Sequence, residues 1–225
     1  MKRILALILI LCALAPMANA QENDSFNWYE IFVYSYQDSN GDGIGDLNGV
    51  RARLDYIEDM GYDGLWLMPI MPSPSYHKYD VTDYKAIDPQ YGTMDDMRAL
   101  VQECHARGIR IIIDLPINHT SLRHPWFLSA AESLQKRKED SPYIDYYHFS
   151  KESGSKFVQL NGTKWYYEEQ FSGGGMPDLN LDNEAVLAEI RDIMVFWLQD
   201  VGVDGFRLDA VTSYYTGDTG RNIRF

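Results

Sequence analysis

The sequence is poor in cysteine and in positive charge, and each scarcity excludes a class of protein. Its 225 residues contain two cysteines, Cys12 and Cys104. Cleavage of an N-terminal signal would leave only Cys104, so we expect no internal disulfide in the mature chain. Lys and Arg total 20 against 33 Asp and Glu, which gives a formal net charge of −13. So acidic a surface repels phosphate backbones and argues against a nucleic-acid partner. Neutral ligands and hard cations fit this charge.

Long hydrophobic runs are also scarce, and the one that exists covers residues 4–14. It is shorter than the roughly 20 residues that a membrane-spanning helix needs. A basic pair precedes it and Ala18-Asn19-Ala20 follows it, the pattern of a cleaved secretory signal over residues 1–20. A lipid anchor at Cys12 is the alternative, but a bulky leucine precedes that cysteine. We expect a secreted or periplasmic protein, not held in the membrane after cleavage.

Apolar runs of strand length alternate with helical patterns along the remaining chain. The predicted strands cover residues 28–35, 64–68, 109–115 and 205–209, and the predicted helices cover 47–60, 93–107 and 183–201. Strand–helix alternation of this kind indicates parallel β/α units. In such units the chemistry lies where the strands end, on the loops that follow them.

The span between His119 and Pro177 breaks this alternation. Helical periodicity fades there, and tyrosines, charges and a run of three glycines replace it. We predict a small irregular domain inserted after the third strand, with its aromatic residues packed in its core. The predicted organisation is a signal over 1–20, barrel units over 21–118, the inserted domain B over 119–177 and the barrel continuation over 178–225.

An acidic, glycine-rich loop follows the first predicted strand. Oxygen-bearing residues alternate along it as in the first part of an EF-hand calcium loop. The predicted ligands are Asp38, Asn40, Asp42, the carbonyl of Ile44 and Asp46. Position 12 is Gly49 instead of Glu, and a strand precedes the loop, so it is not an EF-hand. A metal-free turn is the alternative. The regular alternation favours Ca²⁺, with Mg²⁺ as the second choice.

The fourth predicted strand ends in a carboxylate, two residues after an arginine. Because side chains alternate faces along a strand, Arg207 and Asp209 point to the same side. A guanidinium beside a carboxylate favours the ionised form, which a carboxylate nucleophile needs at neutral pH. An Arg–Asp pair that only fixes the strand is the alternative.

Four segments together resemble signature regions of the α-amylase superfamily, glycoside hydrolase family 13. They cover residues 61–69, 79–84, 114–119 and 205–210, and the resemblance extends from about residue 28 to residue 211. It implies an α/β fold: the first half of a (β/α)8 TIM barrel, with four β/α units and the small domain inserted after strand 3.

The resemblance also implies roles for individual residues. Asp209 is implied as the catalytic nucleophile, with Arg207 holding it ionised. The implied substrate contacts are Tyr79, which stacks on the sugar ring, and Asp80, Asp114 and His119. The alternatives are a stacked core tyrosine and a hydrogen-bonded structural histidine. The metal loop resembles that of the oligo-1,6-glucosidase-like branch, and Asn118 matches a calcium ligand of many α-amylases.

The segment 176–180 (MPDLN) resembles family members intermediate between oligo-1,6-glucosidases and neopullulanases, several of which act as α-amylases. The implied function is retaining hydrolysis of α-1,4-glucosidic bonds in an α-glucan such as starch or maltodextrin. One alternative is an oligo-1,6-glucosidase, another α-glucosidase or a trehalose synthase-like transglycosylase. A second is a non-catalytic, calcium-dependent glucan-binding protein.

The family pattern is incomplete in this sequence. A retaining glycosidase needs two carboxyl groups about 5–5.5 Å apart. In the family, the acid/base glutamate follows the fifth strand, whereas this sequence reaches its fourth. Asp178 and Asp182 fall in the wrong place to substitute. We therefore expect the N-terminal part of a longer enzyme or a truncated reading frame, inactive alone and prone to aggregate at its open strand edges.

Overall fold

The computed structural model describes residues 26–171 and 173–224. The predicted signal over residues 1–20 lies outside the described residues. The strands are β1 (Trp28–Ile31), β2 (Gly64–Leu67), β3 (Arg110–Leu115), β4 (Phe149–Ser150), β5 (Phe157–Gln159), β6 (Tyr166–Glu168) and β7 (Gly205–Leu208). The α-helices are α1 (Val33–Tyr36), α2 (Leu47–Arg51), α3 (Leu54–Asp59), α4 (Met94–Ala106), α5 (Pro125–Gln135), α6 (Glu184–Val195) and α7 (Thr219–Arg224).

The central sheet contains four parallel strands in the order β1-β2-β3-β7. The register places Ile113 opposite Phe206 and Asp114 opposite Arg207. The apolar residues of β3, Ile111, Ile113 and Leu115, are fully buried, as expected for a parallel strand covered on both faces. The sheet therefore holds a polar pair, Asp114 and Arg207, side by side at its carboxyl edge.

The span between β3 and α6 contains its own small sheet. Strands β4, β6 and β5 pair antiparallel in that spatial order. The helix α5 packs beside this sheet through edge-on contacts of Phe127 with Tyr147 and Tyr167. Most aromatic residues of this span pack in its interior, in agreement with the sequence expectation.

The helix α5 was missed by the sequence analysis. Its buried face consists of Phe127, Ala130, Ala131, Ser133 and Leu134, and these small side chains give a weak hydrophobic period. Its start is nevertheless well marked. His124 Nδ1 accepts a hydrogen bond from the Trp126 N–H (3.2 Å), and Pro125 occupies the first turn, where its missing N–H costs nothing.

Two predicted elements are shorter than expected. The first strand ends at Ile31 instead of residue 35, and α1 follows it. The N–H of Gly45 in the acidic loop donates to the Tyr34 carbonyl (2.8 Å), so a contact with the loop overrides the β propensity of this segment. The helix predicted over residues 47–60 divides into α2 and α3. Leu47, Val50, Leu54 and Ile57 still face the core, whereas Met60 is exposed.

The helix predicted over residues 183–201 changes its geometry part-way along. It is α-helical over Glu184–Val195 and continues as a π-helix over Phe196–Val201. The wider turn ends at Gly202, whose φ of 92° lies in the left-handed region that favours glycine. Trp197 is fully buried there, and its indole N–H donates to the Tyr84 carbonyl (2.8 Å). No helix in the described part of the chain has both the length and the hydrophobicity to span a bilayer.

We predict that Thr93→Ala lowers the free energy of unfolding by about 1 kcal/mol, because it removes an N-cap. Thr93 and Asp96 form a capping box at the start of α4: the Thr93 hydroxyl accepts from the Asp96 N–H, and the Asp96 carboxylate accepts from the Thr93 N–H (2.8 Å). Urea unfolding of the chain measures the change. Thr216→Ala, at an exposed turn position, is the control. Equal stability of the Thr93 and Thr216 variants would contradict the cap.

Candidate active site

The residues implied by the sequence converge at the carboxyl edge of the parallel sheet. Arg207 lies in β7 and Asp209 directly follows it, while Asp114 lies near the end of β3. His119 follows β3, and Tyr79 lies on the long connection between β2 and α4. Loops after parallel strands share one edge of the sheet, which is why residues 130 positions apart meet here.

Arg207 bridges the two carboxylates. Its Nη1 lies 3.1 Å from Asp114 Oδ1 and 3.3 Å from Asp114 Oδ2, and the same atom donates to Asp209 Oδ1. The guanidinium also lies over the Trp66 ring, 5.2 Å from its centroid. The predicted Arg207–Asp209 contact is thus present in the structure. Asp209 and Asp114 contact the same nitrogen of one guanidinium, so the two carboxylates share one site.

Burial and charge oppose each other in this group. Asp114 is fully buried, and this burial raises its pKa to about 6, although the Arg207 charge and hydrogen bond work in the opposite direction. Burial of Arg207 alone would lower its pKa, but the charges and hydrogen bonds of Asp114 and Asp209 outweigh it and raise the pKa above the usual value. Arg207 is therefore a permanent cation, whereas the Asp114 carboxylate takes up a proton as the pH falls through about 6.

Tyr79 joins this group through its hydroxyl. The Tyr79 O–H donates to Asp114 Oδ2 (3.1 Å), which holds the phenol ring in place. Burial, followed by the charges of Asp114 and Asp209, raises the pKa of Tyr79 well above its usual value. The phenol therefore stays neutral and acts as a hydrogen-bond donor to Asp114.

His119 is buried and neutral. Burial lowers the pKa of His119 to about 4. Its Nδ1 lies 3.5 Å from the Asn118 side-chain amide nitrogen, at the limit of a hydrogen bond, which assigns the ring proton to Nε2. The imidazole also has a hydrogen bond with the backbone of Tyr79, which raises its pKa against the larger effect of burial. Phe171 packs against the ring with a centroid distance of 5.5 Å.

His77, which the sequence analysis did not select, is a second imidazole at this site. The backbone N–H of Tyr79 can only donate, and it points to His77 Nδ1 (3.2 Å), so Nδ1 is the acceptor. The Ser75 hydroxyl oxygen lies 3.1 Å from the same nitrogen. In the neutral ring the proton therefore sits on Nε2, as in His119. Its position two residues before Tyr79, in the run Tyr-His-Lys-Tyr-Asp, is the signal that the sequence offered.

These side chains surround an open cavity of about 330 Å³. The residues that line it are His77, Tyr79, His119, Phe171, Met176 and Asp209. Three of them were predicted as site residues. Phe171 was noted only among the aromatics of the inserted domain and Met176 only as a subtype marker. The wall is largely apolar, with two imidazoles and one carboxylate as its polar groups, a combination suited to a neutral, polyhydroxylated ligand.

Asp80 lies next to the residues that line the cavity but is not one of them. Its carboxylate is buried, and Oδ1 accepts hydrogen bonds from the hydroxyls of Ser73 (2.6 Å) and Ser75. In the structure Asp80 fixes the loop that carries His77 and Tyr79. Its contact with a sugar stays a prediction.

The predicted metal loop has the compact form that its glycines suggested. Asp38 accepts hydrogen bonds from the N–H groups of Asn40, Gly41 and Gly43, and these backbone bonds lower the pKa of Asp38. The Asp42 side chain likewise accepts from the Ile44 N–H (2.8 Å). A carboxylate oxygen that accepts one hydrogen bond keeps a lone pair for a cation.

The far end of the loop is built around Asp46. Asp46 is buried and caps α2, accepting from the N–H of Gly49 (2.7 Å) and of Ser39 (2.9 Å). A side chain at Gly49 would place its Cβ 1.8 Å from the Gln37 carbonyl oxygen, which explains why no glutamate stands there. Over residues 26–171 and 173–224, no three His, Cys, Asp or Glu side chains converge in a metal-binding arrangement. The oxygen atoms of Asp38 and Asp42 fit a cation, and Asp46, which also caps α2, stays a predicted ligand.

Asn118 ties the barrel to the inserted span. Its side-chain amide donates to Asp178 Oδ1 (3.1 Å), and the Leu179 N–H donates to the Asn118 carbonyl (2.8 Å). Burial raises the pKa of Asp178 to about 7. These bonds hold the segment after Met176 against the end of β3.

Comparison with known proteins adds the family. A model of the alpha-amylase catalytic domain matches residues 30–222. The chain belongs to the alpha-amylase family. This confirms the resemblance drawn from the sequence motifs.

The relatives of this alpha-amylase family chain carry two kinds of name, alpha-amylase and oligo-1,6-glucosidase. Alpha-amylase 3 of Dictyoglomus thermophilum is 49% identical over 201 residues, covering 88% of this chain and 38% of that protein. An oligo-1,6-glucosidase of Parageobacillus thermoglucosidasius is 41% identical over 196 residues, covering 81% of this chain and 34% of that protein. The chain thus spans between a third and two fifths of the length of these relatives.

A solved structure supports the fold. Eubacterium rectale Amy13B is 57% identical to this chain and superposes with a TM-score of 0.85, covering 88% of this chain and 39% of that one. The predicted fold class, part of a (β/α)8 barrel with an insertion after strand 3, is confirmed.

We predict that Asp114 makes stability fall as the pH rises. An acid whose pKa is raised by folding contributes its stability below the unfolded-state value of 3.8, and that contribution is lost as the pH rises through about 6. Asp114→Asn lacks this titration. Between pH 4 and pH 7 the stability of the wild type relative to Asp114→Asn should fall by on the order of 3 kcal/mol. Urea unfolding across this range measures it, with the exposed Asp95→Asn as control. A pH-independent difference for Asp114→Asn would refute the assignment.

Proposed function

We propose that this chain forms the nucleophile half of the active site of a retaining α-glucan hydrolase of the α-amylase type, acting on α-1,4-glucosidic bonds. The observation that carries the proposal is the Arg207 bridge between Asp114 and Asp209, placed at a cavity that Tyr79 and His119 also line. The cavity opens to solvent and Asp209 remains partly exposed, so a ligand can reach its carboxylate.

In the proposed complete site, the Asp209 carboxylate would attack the anomeric carbon while the glycosidic bond breaks, and the leaving-group oxygen would take a proton from a second carboxyl group, giving a covalent glycosyl-enzyme intermediate. Arg207 orients Asp209, because Nη1 of the guanidinium contacts both Asp209 and the buried Asp114. The Tyr79 and Phe171 rings offer apolar faces to the sugar ring. His77 presents an Nε2–H that can donate to a sugar hydroxyl, and the His119 ring forms part of the cavity wall beside Phe171.

The second carboxyl group of a retaining mechanism has no counterpart near Asp209 in the described part of the chain. Asp114 is fully buried and occupied by Arg207 and Tyr79, so it does not reach a leaving-group oxygen. Loss of a general acid typically costs about 10²–10⁴ in rate. We therefore propose that the 225-residue chain binds α-glucan chains without cleaving them.

Two other functions remain candidates. Hydrolysis of α-1,6-bonds is supported by the relatives named oligo-1,6-glucosidase, at 41% identity for the one described above. A calcium-dependent glucan-binding protein is supported by the composition of the cavity wall, which is largely apolar and carries a single carboxylate. Product analysis with maltodextrin and with isomaltose oligosaccharides separates the two hydrolases. Binding without products in every context would favour the binding protein.

We also propose that the Asp38–Asp42 half of the acidic loop binds Ca²⁺, or Mg²⁺ in its place, with Asp38, Asn40, Asp42 and the Ile44 carbonyl as ligands. The hard oxygen donors and the ordered backbone of the loop support this. A bound cation would brace the loop against α1, without a part in the chemistry. Secretion, inferred from the signal pattern over residues 1–20, is proposed on that pattern alone.

Binding without cleavage is the first expected result. Isothermal titration of the 225-residue chain with maltotetraose should show saturable binding, and chromatography should show no smaller sugars. Tyr79→Ala should weaken binding by about tenfold, because stacking and the hold on Asp114 are both lost. Tyr56→Ala, on the exposed face of α3, should leave it unchanged. Saturable release of smaller sugars would overturn the proposed inactivity, and absence of binding would overturn the sugar site.

Calcium should stabilise the chain by an amount that grows with the logarithm of its concentration above the dissociation constant. A ligand that binds only the folded state at 100 times its dissociation constant adds about 2.7 kcal/mol. We expect excess calcium chloride to raise the melting temperature of the wild type and of Asp59→Asn, an exposed change in α3. Asp42→Ala should abolish the rise, since it removes one loop ligand. A rise that survives Asp42→Ala would place the cation elsewhere.

A further inference from the structure

The connection that carries His77 and Tyr79 contains a buried lysine that the reaction proposed above does not use. Lys78 is 2% exposed, and its Nζ lies 2.7 Å from Asp88 Oδ2 and 2.7 Å from Gln90 Oε1. The same nitrogen lies 5.4 Å from the centroid of the Tyr91 ring. A lysine this deeply buried is rare without a partner, and here it is held by an anion, an amide oxygen and an aromatic face.

The backbone of Lys78 is also unusual. Its φ of 66° lies in the left-handed region, which non-glycine residues seldom adopt. The residues on either side of it, His77 and Tyr79, line the cavity, whereas the Lys78 side chain lies among buried residues. The ion pair and this conformation therefore occur together at the one residue between two cavity side chains.

The partner of Lys78 is itself fixed. Asp88 accepts hydrogen bonds from the N–H groups of Gln90 (2.9 Å) and Ser73 (3.3 Å), and its own N–H donates to the Ile70 carbonyl (2.8 Å). Asp88 is thus bonded both to the start of the connection after β2 and to the segment that leads into α4. By pairing with Asp88, Lys78 links the middle of the connection between β2 and α4 to the segments at both of its ends.

We infer that Lys78 is a positioning residue, which through Asp88 and Gln90 holds His77 and Tyr79 at the sugar-binding cavity. The inference rests on the proposed function, because positioning has a purpose only if the cavity binds a sugar. The alternative is an ion pair that stabilises the fold and has no separate effect on the cavity.

A pair of variants separates positioning from stability. Lys78→Met keeps an unbranched side chain, one atom shorter and without the charge, and leaves Asp88 as an unpaired buried anion, so it should lower both stability and sugar affinity. Lys78→Met/Asp88→Asn removes both charges, so the unpaired anion is gone and stability should recover. The bonds from Lys78 Nζ to Asp88 and Gln90, which form the tether, remain absent in the double variant. Positioning predicts that the affinity for maltotetraose stays about tenfold lower in both, whereas a purely structural pair predicts that affinity recovers with stability.

The control is Lys85→Met, which breaks the solvent-exposed ion pair between Lys85 and Asp192. It removes one lysine charge from the same connection without touching the cavity, and should leave affinity unchanged. Titrations with maltotetraose are made at temperatures where each variant is fully folded. Recovery of affinity in the double variant, or an equal loss in Lys85→Met, would overturn the inference.

A second measurement does not depend on sugar binding. Hydrogen exchange over residues 76–81 reports the Tyr79 N–H, which is bonded to His77, and the Val81 N–H, which is bonded to the Tyr79 carbonyl. Exchange in this segment should be faster by about tenfold in the double variant and unchanged in Lys85→Met. If the wild type binds no maltotetraose, the proposed function fails, and unchanged exchange in the double variant then overturns the tether as well.

Discussion

One guanidinium between two carboxylates is the interaction on which the site depends. Strand pairing places Asp114 opposite Arg207, and Asp209, the first residue after β7, contacts the same cation. Ionic hydrogen bonds of this kind are stronger than neutral ones, and the buried carboxylate would be costly without them. The register of the sheet therefore determines the geometry of the site. A one-residue slip of β7 would turn Arg207 to the other face and separate the three groups.

The cavity beside this cation combines apolar walls with a small number of polar groups. Burial keeps His119 neutral, and the backbone N–H of Tyr79 donates to Nδ1 of His77. Tyr79 remains a phenol, so Asp209 is the one carboxylate of the lining. Charge is concentrated at the point where a reaction would occur, and the surrounding donors suit hydroxyl groups. The acidic net charge of the chain fits the same kind of neutral ligand.

The sequence predicted the parallel order of the strands and the convergence of Arg207, Asp209, Asp114, Tyr79 and His119, because strand periodicity and motif spacing are local properties. It failed where contacts between residues distant in sequence determine the local structure. The first strand is cut short by a bond from Gly45, and α5 escaped detection because alanines form much of its buried face. The burial of Lys78 depends on Asp88 and Gln90, and no local pattern in the sequence marks this pairing.

The close approach of Gly49 to the Gln37 carbonyl restricts how the acidic loop can change over time. In an EF-hand the twelfth position supplies a bidentate glutamate, but here any Cβ at that position meets backbone oxygen at 1.8 Å. A single codon change cannot add this ligand without moving the chain that connects α1 to the loop. If the loop binds a cation as proposed, a further ligand can be added in its exposed half, for example by a carboxylate in place of the Asn40 amide. The packing of a backbone thus sets an upper limit on what point mutation can achieve there.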